Sequence, residues 1–182
     1  MSEIVVISGS PSAFSRSEQV LKYLGNLLKQ EHFSVTHISI KDVPAEEVFQ
    51  GKFDSPAIHE VTELIQNAKG VIVGSPVYKG AYSGVLKALL DILPQDVLKH
   101  TPVLPLMTGG SASHLLAIEY TLKPVLATLK GHNLKGLYLL DRQIDKRKEN
   151  PIIDEDILQR TKKQLQYFTE IVNRQASTVF LT

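Results

Sequence analysis

The sequence predicts an α/β fold, a three-layer sandwich in which helices cover both faces of a five-stranded parallel sheet. Apolar segments rich in β-branched residues alternate along the chain with amphipathic segments, which is the pattern of strands joined by crossover helices. Three of the strand-like runs, at 4–7, 71–73 and 103–106, are almost wholly apolar. Such runs are typical of parallel strands that are buried on both faces.

Each element can be assigned from its residue pattern. The expected strands are at about Ile4–Ser8, Ser34–Ile40, Gly70–Ser75, Val103–Thr108 and Leu134–Leu140. The expected helices are at about Ser17–Gln30, Ala57–Ala68, Ser83–Ile92, Ser113–Leu129 and Asp154–Arg174, with a short one at Glu46–Phe49. The second strand alternates apolar and polar residues, as an edge strand does. An edge strand that comes second in the chain fits the flavodoxin-like order 2-1-3-4-5.

The composition indicates a soluble, cytoplasmic protein with one domain. The chain has 182 residues, of which 43% are hydrophobic, and we expect residues 1–175 to form the domain and residues 176–182 a C-terminal tail. The net charge of +1 provides no field for nucleic acid. No apolar run is long enough to span a membrane, and no leader-like segment follows Met1. Cysteine is absent, which excludes disulfides and thiolate metal ligands.

The loop after the first strand has the residues of a phosphate site. It contains Ser8, Ser10 and the run Ser15-Arg16-Ser17, directly before an amphipathic helix. The first amides of a helix lack intrahelical partners, and hydroxyls and a guanidinium at the same point suit an anion. Because the loop has neither common nucleotide fingerprint, a monophosphate is favoured. Ser15 with Glu18 also fits a capping box, so a purely structural role for the loop stays open.

Two further loops should lie at the same sheet edge, because ligands of open α/β sheets bind outside the carboxyl ends of the strands. The loop after the third strand suits the walls of a flat heteroaromatic ring, and the loop after the fourth strand suits its polar edge. The alternative for the first of these loops is a turn whose tyrosines pack on the following helix. His114 is kept as a contact only, since a histidine in a first helical turn is more often a surface residue. The candidate residues are Pro76, Val77, Tyr78, Lys79, Gly80 and Tyr82, followed by Thr108, Gly109, Gly110, Ser111 and His114.

Together, the three loops resemble those of the NADPH-dependent FMN reductase family. The matching motifs are Ser8-Gly9-Ser10, Ser15-Arg16-Ser17, the run 75–80 and the run 108–111. The longer runs 82–91 and 114–126 are similar to the SsuE-type reductases, which supply reduced FMN to alkanesulfonate monooxygenases. The resemblance extends from Ile4 to about Leu140.

The resemblance implies that FMN binds in the cleft and is reduced by NADPH or NADH. Ser10, Arg16 and Ser17 would hold its phosphate, and the runs 76–80 and 108–111 would border its ring. Hydride transfer between two cofactors requires no metal and no catalytic acid or base. A quinone or azo reductase that works by ping-pong stays open as an alternative. A flavodoxin-like electron carrier is less favoured, because carriers of that kind are usually strongly acidic.

Two features outside the loops carry expectations of their own. Pro124 lies inside the predicted helix 113–129 and removes the hydrogen bond to the carbonyl of Tyr120, so we expect a kink or a π-bulge there. The resemblance implies that this helix makes a dimer or tetramer contact, with Tyr120 near the flavin edge; the alternative is Tyr120 in the core.

The charged run 143–150 is expected to be a solvated loop, with a patch for the extra phosphate of NADPH as its alternative.

Overall fold

A computed structural model describes residues 3–178 and shows a parallel sheet with helices on both faces. The main path of the sheet has the order β2-β1-β3-β4-β5, and a sixth strand also pairs with β4. The predicted fold class and strand order are therefore confirmed. The strands are β1 Ile4–Ser8, β2 Val35–Ser39, β3 Gly70–Pro76, β4 Pro102–Gly109, β5 His132–Asn133 and β6 Leu137–Leu140.

The single fifth strand expected at Leu134–Leu140 is wrong, because two short strands replace it. β5 pairs with the start of β4 at Pro102 and Val103, and β6 pairs with its second half, from Leu106 to Gly109. Between them the chain passes Pro105, which has no amide to donate to a neighbouring strand. Gly136 makes the detour with a φ of +86°, and a Cβ on it would lie 2.9 Å from the Pro105 carbonyl oxygen.

Four of the five predicted long helices are present, with small shifts at their ends. The last one begins at Glu155 and continues to Thr178, which takes it into the predicted tail; residues 179–182 of that tail lie outside the described residues. None of the described helices is long and apolar enough to cross a membrane. The helices are α1 Arg16–Gln30, α2 Ala45–Phe49, α3 Pro56–Gln66, α4 Gly84–Ile92, α5 Lys123–Thr128 and α6 Glu155–Thr178.

The predicted helix 113–129 is broken into three pieces. A 3₁₀ turn at Ala112–His114 is followed by a π-helix at Ile118–Leu122 and then by α5. The amide of Lys123 donates to the carbonyl of Ile118, five residues earlier. Pro124 lies at the start of α5, where a missing amide costs nothing. The π-bulge expected near Tyr120 is confirmed, and an unbroken helix over this range is excluded.

Apolar side chains of the strands alternate between two cores. Val5 and Ile7 of β1 point to the layer that contains α3, α4 and the π-helix. Ile4 and Val6 point to the opposite layer, which contains α1 and α6. Because both faces of the sheet are covered, the polar groups at the carboxyl ends of the strands have only the edge of the sheet to face.

Candidate functional site

The structure brings the three predicted loops together at the carboxyl edge of the sheet. The amide of Gly9, after β1, donates to the Gly74 carbonyl of β3 at 2.7 Å. The amide of Val77, after β3, donates to the Thr108 carbonyl of β4 at 2.8 Å. The hydroxyl of Ser83 donates to the carbonyl of Gly9 and so joins the start of α4 to the first loop.

The loop after β1 ends in a well-formed helix cap. The Ser15 hydroxyl accepts from the Glu18 amide at 3.1 Å and lies 3.2 Å from the hydroxyl of Ser17. Only this half of the predicted capping box forms, because the Glu18 carboxylate instead pairs with Lys41 at 2.9 Å and Lys22 at 3.2 Å. Ser15 therefore shapes the helix start, as expected.

Several polar groups of the same loop are left for a ligand. Within the described part of the chain, the amides of Arg16 and Ser17 have no acceptor, as expected for the first turn of a helix. The Ser8 hydroxyl is buried at the end of β1 without a hydrogen-bond partner. Ser10, by contrast, is fully buried, and its hydroxyl is paired with Ser12, accepting from the amide at 3.2 Å and donating to the carbonyl at 3.4 Å. The groups left for a ligand are thus the two amides and the Ser8 hydroxyl. This donor set fits a phosphate group.

Arg16 has a partner that the sequence did not reveal. Its Nη1 lies 3.9 Å from an oxygen of Asp141, the first residue after β6, and both side chains are about two-fifths exposed, at 44% and 41%. No sequence motif indicated Asp141, because its proximity to Arg16 depends on β6 ending beside the loop after β1.

The charged run 143–150 partly covers the first loop. Lys146 donates to the Phe14 carbonyl at 3.0 Å and lies 4.8 Å from the centre of the Phe14 ring. Arg147 and Lys148 are exposed. The solvated loop that we expected is therefore present at residues 147–149, whereas Ile144 is buried and pairs with Ile152, and Lys146 is anchored on the loop after β1.

The loop after β3 makes a tight turn. Tyr78 and Ala81 exchange backbone hydrogen bonds at 2.8 and 3.2 Å, with Lys79 at a φ of 53° and Gly80 at 81°. Positive φ at both central positions defines a type I′ turn and explains the glycine. Tyr78 is half exposed, whereas burial raises the pKa of Tyr82. The turn thus presents one aromatic side chain to solvent beside a lysine.

The loop after β4 is held close to β6. A Cβ on Gly109 would lie 2.5 Å from the Tyr138 hydroxyl, whereas one on Gly110 would meet only Asp141, at 3.8 Å. The Tyr138 hydroxyl donates to the carbonyl of Ser111 at 2.6 Å. Burial, followed by the nearby Asp141 charge, raises the pKa of Tyr138. Tyr138 is a second residue that sequence reasoning missed.

His114 and Tyr120 are both on the surface. His114 ends the 3₁₀ turn that Ser111 caps, its amide bonding to the Ser111 carbonyl at 3.3 Å. Tyr120 is 76% exposed on the π-helix, and Leu115 and Leu116 before it are 52% and 55% exposed. The alternative that places Tyr120 in the core is therefore excluded.

An apolar groove outside the predicted site lies between α2 and α4. It has a volume of about 610 Å³ and touches the first loop at Pro11. Val48, Phe49 and Val85 are among its lining residues. Of the described residues, no three or more histidines, aspartates or glutamates cluster in a way that could hold a metal ion.

Comparison with known proteins identifies the family. The model of the family described as NADPH-dependent FMN reductase matches residues 2–145. The chain belongs to the NADPH-dependent FMN reductase family. It is thus an oxidoreductase, and the resemblance seen in the three loops is confirmed.

Individual relatives of this reductase agree with that assignment. An FMN reductase (NADPH) of Escherichia coli strain K12 is 40% identical over 172 residues, which cover 94% of this chain and 90% of the relative. An FMN reductase (NADPH) of Pseudomonas putida is 44% identical over 142 residues, covering 78% and 72%. The solved apo structure of the NADH:FMN oxidoreductase EMOB has a TM-score of 0.80 at 31% identity, covering 92% of this chain and 88% of that one.

Proposed function

We propose that this reductase oxidises NADPH, reduces FMN as a substrate and releases the reduced flavin to a monooxygenase that desulfonates alkanesulfonates. The observation that carries the proposal is the anion seat at the start of α1, where the Arg16 and Ser17 amides lack acceptors. The Arg16 side chain is 44% exposed at this seat, which suits a ligand that enters and leaves. The 40% identity to a reductase named for FMN and NADPH supports the same reaction.

The phosphate of FMN is assigned to the first loop. The free amides at the start of α1 would donate to it, and the Arg16 guanidinium would add charge-assisted hydrogen bonds. The orphaned Ser8 hydroxyl and the hydroxyls of Ser10 and Ser17 complete the polar lining. Ser15 orders the loop through its cap.

The ring of FMN is assigned to the loops after β3 and β4. When bound, FMN supplies the ring that accepts hydride from the nicotinamide donor. Tyr78 and Tyr82 offer aromatic surface, and Lys79 brings positive charge near them. Gly110 is exposed, and a Cβ on it would meet only Asp141, at 3.8 Å, so its amide suits a carbonyl edge that gains negative charge on reduction. Gly109 is assigned to the same edge but is buried against Val77 and Tyr138. The remaining residues assigned to this wall are Pro76, Val77, Gly80, Thr108, Ser111 and His114.

A second copy of the chain is assigned to the segment 112–128. Leu115, Leu116 and Tyr120 expose apolar surface within six residues, which is unfavourable in water unless another surface covers it. We propose that this surface forms a dimer or tetramer contact and brings Tyr120 to the flavin edge of the assembled enzyme.

The reaction is tested first with the purified protein alone. We expect a colourless protein whose NADPH oxidation saturates with added FMN, because the flavin is exchanged in each turnover. The partner is then tested with an alkanesulfonate monooxygenase, an alkanesulfonate and NADPH, with sulfite release as the readout. Sulfite should appear only when both proteins and FMN are present. If chemically reduced FMN supports the monooxygenase but the reductase does not, the proposed partner is wrong and the reductase activity stands.

A quinone or azo reductase is the second candidate. It is supported by an NADPH azoreductase of Bacillus sp. strain OY1-2 that is 27% identical over 175 residues, covering 93% of this chain and 96% of the relative. A yellow protein that reduces a quinone or an azo dye without added flavin, with parallel lines in a double-reciprocal plot, would favour this candidate.

A further inference from the structure

We propose that Asp141 is a positioning residue that competes with the flavin phosphate for Arg16 and thereby keeps FMN exchangeable. The inference rests on the proposed use of FMN as a substrate. It starts from the pair between Arg16 Nη1 and Asp141 Oδ2, which are 3.9 Å apart at the start of α1. The only acid in contact with this guanidinium among the described residues thus lies beside the anion seat.

Asp141 is carried on a turn with defined anchors. It follows Leu140, whose amide donates to Oε1 of Gln143 at 2.9 Å. The Gln143 amide group in turn donates to Asp154 at 2.9 Å, and the other oxygen of Asp154 caps α6 by accepting from Ile157. The backbone of Asp141 therefore has a restricted position, so the fold keeps its carboxylate within reach of the anion seat.

The carboxylate also lies next to the second wall of the site. A Cβ on Gly110 would be 3.8 Å from Asp141 Oδ2, so the acid is located between the loop assigned to the phosphate and the loop assigned to the ring. A carboxylate there occupies the cation that would otherwise bind the phosphate. A site intended to retain its flavin would gain from a neutral residue at this position.

The pair has the geometry of an exchangeable contact. Its 3.9 Å separation is longer than a charge-assisted hydrogen bond, and both side chains are about two-fifths exposed. Arg16 can therefore leave Asp141 for a phosphate with a modest cost. Release of the flavin returns the guanidinium to the carboxylate, so the ion pair replaces part of what the departing phosphate provided.

The test compares the binding of FMN and riboflavin, which lacks the phosphate, by quenching of flavin fluorescence. For Asp141→Asn we expect the Kd for FMN to fall by about two- to fivefold, the range set by an exposed ion pair, and the Kd for riboflavin to stay unchanged. In an Arg16→Ala background the same substitution should have no effect on FMN. Asp145→Asn, in the same loop, is the matched control and should leave both Kd values unchanged.

Three outcomes would overturn the proposal. Unchanged or weaker FMN binding by Asp141→Asn would mean that the acid orients Arg16 for the phosphate or does nothing. An equal gain for riboflavin would mean that the acid acts on the ring. A gain that persists without Arg16 would mean that it repels the phosphate directly. These are binding measurements on the isolated reductase, so failure to support a monooxygenase would refute the proposed partner without touching this result.

Discussion

The loop 9–17 and the segment 112–128 both leave the carboxyl edge of the sheet after buried strands, but they present opposite surfaces. The first presents hydroxyls, free amides and one guanidinium, and the Lys146 amine lies 4.8 Å from the centre of its half-exposed Phe14 ring. The second presents Leu115, Leu116 and Tyr120 to solvent from an irregular helix. The polar surface suits a small anion, and the apolar surface suits another protein surface. The contrast between the two surfaces indicates that the loop 9–17 binds a ligand within one chain, whereas the segment 112–128 contacts another chain.

The largest expected effect is on stability, from placing a side chain at Gly9, where the loop after β1 packs against Leu86 of α4. A Cβ on Gly9 would lie 2.8 Å from the Cβ of Leu86, and α4 is anchored there through Ser83. We expect Gly9→Val to cost about 3 kcal/mol of unfolding free energy, measured by urea denaturation. Gly84→Ala, where a Cβ meets no atom within 4 Å, is the control and should be neutral or slightly stabilising. Equal stability of both variants would show that the loop is not packed this tightly.

Removing the cation of the first loop tests its assignment to the phosphate. Arg16→Ala should weaken FMN binding by about 2 kcal/mol, roughly 30-fold, because a charge-assisted contact is lost. Riboflavin binding should hardly change. Lys22→Ala, an exposed cation of α1 paired with Glu18, serves as the control. If Arg16→Ala binds FMN as the wild type does, the phosphate is held elsewhere.

Tyr120→Ala tests the apolar surface. We expect the assembled form to dissociate at protein concentrations roughly 10- to 100-fold higher than for the wild type, because aromatic side chains often dominate interface energies. Light scattering after gel filtration gives the mass. Tyr167→Ala, a half-exposed tyrosine on α6, is the matched control. A wild-type protein that is monomeric at every concentration would contradict the proposed contact.

The link between β6 and the loop after β4 should have a smaller effect. Tyr138→Phe removes the hydrogen bond to the Ser111 carbonyl and should cost about 1 kcal/mol in unfolding free energy. It should also raise the KM for FMN if Ser111 borders the ring. Tyr167→Phe, without a comparable bond among the described residues, should change neither quantity.

The smallest effect concerns pH and lies away from the site. Burial, followed by the charges of Lys29 and Lys22, lowers the pKa of His37 in the folded protein. As the pH falls below the ordinary histidine value of about 6.5, the unfolded chain gains a proton that the native state resists, so stability decreases. Because His37 lies on the edge strand β2 and is an exposed residue, solvent screens much of this effect, and the loss should stay below about 0.5 kcal/mol.

Urea unfolding at neutral and at mildly acidic pH measures this loss. His37→Gln should flatten the difference between the two conditions. A wild-type protein that gains stability on acidification through this range, relative to His37→Gln, would reverse the expected sign.

The fold was largely predictable, and so was the meeting of the three loops at one edge of the sheet. Runs such as 4–7 in β1 are wholly apolar, and only a sheet covered on both faces buries them. The loops with serine, glycine and arginine follow three of these strands, so topology alone brings them to one edge. Pro124 predicted the irregularity near Tyr120, because proline has no amide hydrogen to donate to the carbonyl four residues earlier.

Other contacts could not be predicted, because they depend on where a later strand ends. Tyr138 belongs to β6, and Asp141 follows it directly. The start of β6 differs from the predicted strand because the chain passes Pro105 at Gly136 without pairing. No local pattern marks a carboxylate as the partner of an arginine 125 positions earlier in the chain. The hydrogen bond from Lys146 to the Phe14 carbonyl was equally unpredictable, because nothing distinguishes this lysine from the other charged residues of its run.

The sequence by itself determined the alternation of strands and helices, the family, and the three loops to which we assign a phosphate and a flat ring. These follow from hydrophobic periodicity and from short motifs, which act over a few residues. Only the tertiary structure decided that the fifth strand is divided, that Ser10 turns inward and that Arg16 meets Asp141. Such choices depend on packing and on charges brought together from distant parts of the chain, and no local pattern encodes them.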